Sequence, residues 1–223
     1  MHIRFEDDAL ASPLQAVAVT AAQPRRPVAE MRYAVAGERR HTVLEEGDRL
    51  ATGLADADAV ATVAARCRAR VLDHLSLGGW AAARAGIAGI GGRRLLVLGD
   101  EAGALTSHAR AHAHAVEGDE LVFFRDGQAV CLPLAWSSDV EVGPVDAAVI
   151  VAPGQTDAPC APVASGEVVE ALVAATVPSW KPPAQVLRSC IGLVGGVDGY
   201  RIDGSRVAAG VESLLAHVTG GRP

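Results

Sequence analysis

Apolar and polar positions fall into short blocks whose period switches between two and three-to-four, the alternation expected of strands and helices in one α/β chain. The most ordered block is Arg93-Arg-Leu-Leu-Val-Leu98: a buried strand, turned by Gly99 and opening into a helix. Before it, Val60, Ala64, Cys67, Val71 and Leu75 recur at helical spacing behind Asp56 and Asp58. This predicts a long helix with one apolar face packed on a sheet, while Arg66, Arg68, Arg70 and Asp73 face elsewhere. Gly78-Gly79 ends that helix. Trp80 to Ile90 alternates small and apolar residues as a single strand would, and Gly91-Gly92 turns it into the central strand Arg94 to Leu98. Nearer the start, the pattern predicts a hairpin over Met31 to Leu44 around Gly37-Glu-Arg-Arg40. It also predicts an edge strand at Leu14 to Val19 and a loop through Pro24 and Pro27.

Downstream, Thr106 to Ala115 reads as helix. Two apolar runs flank Arg125-Asp126-Gly127-Gln128, and Asp-Gly between such runs is a strong hairpin signal. Val145 to Val151 is a continuous apolar run, hence a buried strand. Ser165 opens a helix carrying Val168, Ala171, Leu172 and Ala175, and Ala184 to Val194 forms another after Pro178, Pro182 and Pro183. A short strand at Gly199 to Ile202 and a last helix with Val207, Val211, Leu214, Leu215 and Val218 on one face complete the chain. The alternation predicts an α/β fold, a central sheet flanked by helices with an N-terminal β-hairpin extension.

Composition narrows the function. The 223 residues are half hydrophobic but only 4% aromatic, as in a soluble Ala- and Val-rich α/β protein. No apolar run approaches the roughly 18 residues of a spanning helix, and Met1-His-Ile-Arg-Phe-Glu-Asp-Asp8 is no signal peptide, so the expectation is a cytoplasmic protein without membrane contact. A net charge of −6 without a basic, aromatic-interleaved run argues against nucleic acid. Cys67, Cys131, Cys160 and Cys190 are widely spaced and read as small buried hydrophobes rather than a zinc site or disulfide framework.

The candidate chemistry centres on Gly99 to Thr106. A phosphate-binding loop needs Gly, four residues, Gly, Lys and then Ser or Thr: backbone N–H groups close on the phosphates, Lys reaches the outer ones and the hydroxyl holds Mg²⁺. Gly99 and Thr106 stand in place, with Gly103 one position short of the second glycine, while Ala104 fills that glycine position and Leu105 the lysine position. The choice is between a residual nucleotide site and an ordinary strand-to-helix turn. Asp119 and Glu120 are either a metal-binding or general-base pair or a solvated turn. His108 and His112 lie four apart, a spacing suited to a metal that Asp119 or Glu120 could complete, but the pair lacks an internal Glu and equally fits a polar helix surface. No metal site is assigned. Cys190 beside Ser189 reads as a buried thiol, and Trp136 and Trp180 as either groove-lining or ordinary loop-edge aromatics.

The order hairpin, long helix, glycine-turned strand, loop, helix, acidic pair, hairpin and buried strand resembles the HPr kinase-like group of P-loop proteins. Arg94-Leu-Leu-Val-Leu-Gly99 matches that group's strand and turn. Val116-Glu-Gly-Asp119-Glu120-Leu-Val-Phe-Phe-Arg-Asp-Gly127 and Leu132-Pro133-Leu134 resemble its acidic pair and hairpin, and Ser189 to Ile202 resembles the ending of small relatives from peptide-modifying gene clusters. The resemblance implies an N-terminal extension over residues 1–50 and a kinase-like core over 51–223. It implies catalytic roles for Asp119, Glu120 and, in an altered chemistry, His112, and nucleotide contacts at Gly99, Gly103, Ala104, Leu105 and Thr106. It leaves a homo-oligomer possible. Without the lysine, the resemblance implies a protein that has lost ATP-dependent phosphoryl transfer, takes no cofactor, and serves a biosynthetic pathway by binding a precursor peptide or partner enzyme. Two alternatives stand beside it: an enzyme with altered chemistry in the old pocket, and an active kinase, using ATP and Mg²⁺, in which Arg93, Arg94 or Arg110 replaces the lost cation.

Overall fold

The computed structural model describes residues 33–37, 40–131, 142–154, 158–178 and 181–219. The expected edge strand at Leu14 to Val19, the Pro24–Pro27 loop, the Leu132-Pro133-Leu134 segment, Trp136 and Trp180 lie outside them. The chain divides into two compact units, Met1–His74 with Ala135–Asp139, and Leu75–Leu134 with Val140–Pro223.

In the first unit, β1 (Tyr33–Ala36), β2 (His41–Glu45) and β3 (Asp48–Leu54) form an antiparallel sheet, followed by α1 (Asp56–Leu77), which belongs to this unit as far as His74. The expected hairpin is present, with a third strand that the pattern did not reveal: β3 is exposed or half-buried along its length and has no clean alternation. Val35 and Val43 pack against Ala59, Val63 and Cys67 of α1. The fully buried stripe therefore runs through Ala59 and Val63, and Val60 lies at its edge, partly buried. Arg66 and Arg70 do not simply face water. Both clamp the buried Glu45 carboxylate, Arg66 Nε at 2.9 Å and Arg70 Nε at 3.0 Å. A carboxylate taken out of water needs such partners, and they turn the helix so that its arginine-bearing side meets the sheet.

The second unit is built on a six-stranded mixed sheet. Its strands are β5 (Gly86–Ile90), β6 (Arg93–Leu98), β7 (Ala115–Gly118), β10 (Ala147–Ala152), β11 (Cys160–Val163) and β12 (Asp198–Asp203), in the order β11-β12-β10-β6-β5-β7. The central three, β12, β10 and β6, are parallel; β5, β7 and β11 run antiparallel to their neighbours. Period two along β6 sorts the core. Leu95 and Val97 face α2 (Ala102–Ala111) and α5 (Val207–Thr219). Leu96 and Leu98 face α3 (Ser165–Ala175), α4 (Pro183–Val194) and a second small sheet of β4 (Ala81–Ala83), β8 (Val122–Arg125) and β9 (Gln128–Cys131). The fold is thus mixed α/β with a central sheet flanked by helices and an N-terminal hairpin sheet. Among the described residues, no helix is long and apolar enough to cross a membrane.

Two differences from the sequence pattern shape the site. The stretch Trp80 to Ile90 is two strands in two sheets, broken at Arg84, whose backbone N–H donates to Ala175 O at 2.8 Å. The helix after β6 begins at Ala102 rather than Thr106, because Ala102 N–H already bonds to Gly99 O (3.1 Å) and Ala104 N–H to Glu101 O (2.9 Å). The β8–β9 hairpin turns through Asp126 and Gly127 as expected, both with positive φ. All four cysteines are free and buried. Burial raises the Cys131 thiol to about 12 and those of Cys160 and Cys190 to about 11, which keeps them protonated and unreactive at neutral pH.

Candidate functional site

The register gathers one set of groups at one edge of the large sheet. Because β10 and β12 run parallel to β6, Ala152 and Asp203 end at the same edge as Leu98. Because β5 is antiparallel to β6 with Gly86 opposite Val97, and β7 pairs Gly118 with Ile87, Gly86 and Asp119 come to that edge too. Ligands of open α/β sheets bind outside the carboxyl ends of parallel strands, so this edge is the candidate site.

Gly99, the first loop residue, has φ +100°, and a Cβ there would overlap the Val151 carbonyl. Its role is to let β6 turn against β10. The turn then comprises only Gly99, Asp100 and Glu101 before the helix starts. Gly103 and Ala104 lie in the first turn of α2 and Leu105 in the next part of the helix, fully buried in the core with Ala102 and Ala109. The residue at the lysine position is therefore packed inside, not aimed at a ligand. Thr106 is buried as well, and its hydroxyl donates back to Ala102 O (3.4 Å) and Gly103 O (3.2 Å) of its own helix. Residues from Ala102 onward thus form a helix, and the turn's Ala102 and Ala104 N–H groups are already bonded to Gly99 O and Glu101 O.

Thr106 and Asp119 do come together: a Cβ on Gly86 would sit 3.1 Å from Thr106 Cγ2 and 3.2 Å from Asp119 Cα. Asp119 Oδ2 accepts from Arg110 at 2.9 Å, while its buried Oδ1 has no hydrogen bond. Glu120 is exposed at the bend after β7. His112 caps the far end of α2, where its Nδ1 meets His108 O at 2.9 Å and its ring stacks on that of His108 at 4.1 Å. Burial, then the charges of His112 and His114, lower the His108 pKa, opposed by Glu212. No group of three or more His, Cys, Asp or Glu among the described residues is placed to hold a metal. The arginines considered as substitute cations already have partners. Arg93 and Arg94 stand at the opposite end of β6, Arg93 donating to Val218 O and Arg94 forked onto Glu117, and Arg110 is held by Asp119.

Asp203 closes the β12 side of the edge. Its carboxylate accepts from Ser205 Oγ (2.7 Å), Gly154 N (3.1 Å), Ser205 N (3.0 Å) and Arg206 Nε (3.1 Å), and these bonds, the Ser205 hydroxyl foremost, hold it well below the usual carboxylate range. It is committed to tying the β10 and β12 ends together.

What remains open is a cavity of about 630 Å³ lined by Arg84, Gly99, Asp100, Ala152, Ala171 and Thr176, among others. Arg84 and Asp100 are its charged residues, both exposed and, among the described residues, without a side-chain hydrogen bond or ion pair. Neither was singled out by motif. Arg84 was nevertheless visible as the one charged residue inside the apolar 80–90 stretch, and it sits where that stretch breaks between two sheets. An unpaired cation and an unpaired anion over an alanine-rich floor suit a ligand carrying both charges.

No family model and no curated protein matches the chain. Among solved structures it is similar to the Hpr(Ser) kinase/phosphatase from Coxiella burnetii, with 9% sequence identity and a TM-score of 0.35, over 62% of this chain and 93% of that one. At this identity no residue correspondence follows.

Proposed function

We propose that this protein is a binding or accessory protein that does not transfer phosphoryl groups, and that its carboxyl-edge cavity holds a small ligand or peptide segment bearing both an acidic and a basic group. The single observation that carries the first half is the start of α2 at Ala102, which buries Leu105 and spends the Thr106 hydroxyl inside the helix. Phosphoryl transfer depends on positioning and charge neutralisation. Asp100 stands in the turn after Gly99, Arg110 and Arg206 at this edge are paired with Asp119 and Asp203, and the cavity's one arginine is Arg84. The second half rests on Arg84 and Asp100. A precursor peptide or partner enzyme of a peptide-modifying pathway, the partner that the resemblance of residues 189–202 implies, carries both kinds of charge.

The test is thermal unfolding of the full chain with Mg-ATP and, separately, with the zwitterion alanylalanine. A ligand at a hundred times its dissociation constant stabilises by about 2.7 kcal/mol. We expect no ATP-dependent rise and a dipeptide-dependent rise that Arg84→Gln and Asp100→Asn abolish. A rise with Mg-ATP accompanied by transfer of its terminal phosphate to any acceptor would overturn the reading.

A further inference from the structure

A second cleft lies among the β8–β9 turn, α4 and the Gly78-Gly79 turn, and shares no lining residue with the carboxyl-edge cavity. Its volume is about 640 Å³. One face of α4 supplies Gln185, Arg188, Ser189 and Gly192, spaced three and four apart, and the hairpin supplies Arg125 and Gly127.

The charges are unbalanced in a protein whose net charge is negative. Arg125 is held in place from three sides: Nη1 donates to Gly78 O at 2.6 Å, Nε meets Asp126 Oδ2 at 3.2 Å, and the guanidinium lies 5.4 Å from the centre of the Trp80 ring. Arg188 bonds through Nε, toward Ala184 O at 3.3 Å, and among the described residues its two terminal nitrogens meet no carboxylate or carbonyl. Lys181 adds a third cation one residue before the cleft wall; it is buried, and burial followed by the Arg125 charge lowers its pKa. Among the described lining residues, Asp126 is the one acidic side chain. The wall is open to backbone approach, because a Cβ on Gly192 would meet nothing closer than Gly127 N at 3.9 Å.

We propose that this cleft binds an oxyanion, the phosphate or carboxylate group of a small molecule, between the guanidiniums of Arg125 and Arg188. Arginine forks match both groups with paired N–H donors, and an arginine already fixed by other contacts loses little freedom on binding. An anion there also relieves the repulsion between Arg125 and Lys181. The volume leaves room for the rest of a small molecule beside the anionic group.

Amide NMR of the full chain tests this, with inorganic phosphate titrated in one arm and succinate in the other at constant ionic strength. At least one anion is expected to give saturable shifts at Gly127 and Gly192. Arg188→Gln, at an exposed site outside the core, is expected to raise the dissociation constant at least tenfold, and Gly192→Leu to do the same by filling the cleft while α4 stays helical. The arm that saturates identifies phosphate or carboxylate as the preferred group. Saturation by neither anion, or a constant that Arg188→Gln leaves within a factor of two, would remove the proposal.

Discussion

The turn after β6 and the turn between β8 and β9 make an instructive pair. The first carries most of a phosphate-loop spacing, yet its fourth to eighth residues are helix, its would-be cation position is core and its neighbours are carboxylates. The second is an Asp-Gly hairpin turn with no phosphate-loop spacing, yet it gathers Arg125, Arg188 and the nearby Lys181 beside a glycine-walled cleft. Spacing along the chain carries chemistry only when the backbone leaves those residues in a loop. Where a helix starts early, the same letters are spent on packing.

The sharpest way to break the contrast is to restore the lysine. Leu105→Lys places an ammonium in the apolar cluster of Leu95, Ala102 and Ala109, and an uncompensated buried charge costs about 3–5 kcal/mol. We expect a denaturant midpoint lowered accordingly and no gain of Mg-ATP binding. A variant that stays as stable as the parent and melts higher with nucleotide would show that the loop can open into a cradle.

A smaller loss separates backbone geometry from ligand contact at the same turn. Gly99→Ala must adopt φ near +100° and displace the Val151 carbonyl, strain of roughly 2–3 kcal/mol. Its effect should appear in urea unfolding and be the same with and without Mg-ATP. A purely functional glycine would instead leave stability unchanged.

Much of this contrast was legible beforehand and part was not. The buried strands β6 and β10, the Asp126-Gly127 hairpin, α3, α4 and the last helix lie within a few residues of where their patterns put them, because an apolar period or a turn dipeptide dictates each locally. The start of α2 was misplaced because the motif alignment reserved Gly99 to Thr106 for a loop, although Ala102, Ala104 and Leu105 are good helix formers. The break at Arg84 was hidden because period two is the same in one sheet or two. Arg84 with Asp100, and Arg125 with Arg188, are far apart in sequence, and only the register of the sheet and the docking of α4 bring each pair to one wall.

The finest discrimination uses two helix glycines, one from each region. Gly103 in the first turn of α2 and Gly192 in the last turn of α4 both have helical backbones and room for a methyl group. A glycine within a helix costs roughly 0.5–1 kcal/mol relative to alanine, the lower end applying near the frayed ends. Gly103→Ala and Gly192→Ala should therefore each raise stability by about 0.5 kcal/mol in urea unfolding. They should part company in the anion titration: Gly192→Ala narrows the wall facing Gly127 and weakens binding, whereas Gly103→Ala, on a helix that holds no phosphate, leaves it untouched. If Gly103→Ala instead weakened anion binding while Gly192→Ala did not, the roles assigned to the two turns would have to be exchanged.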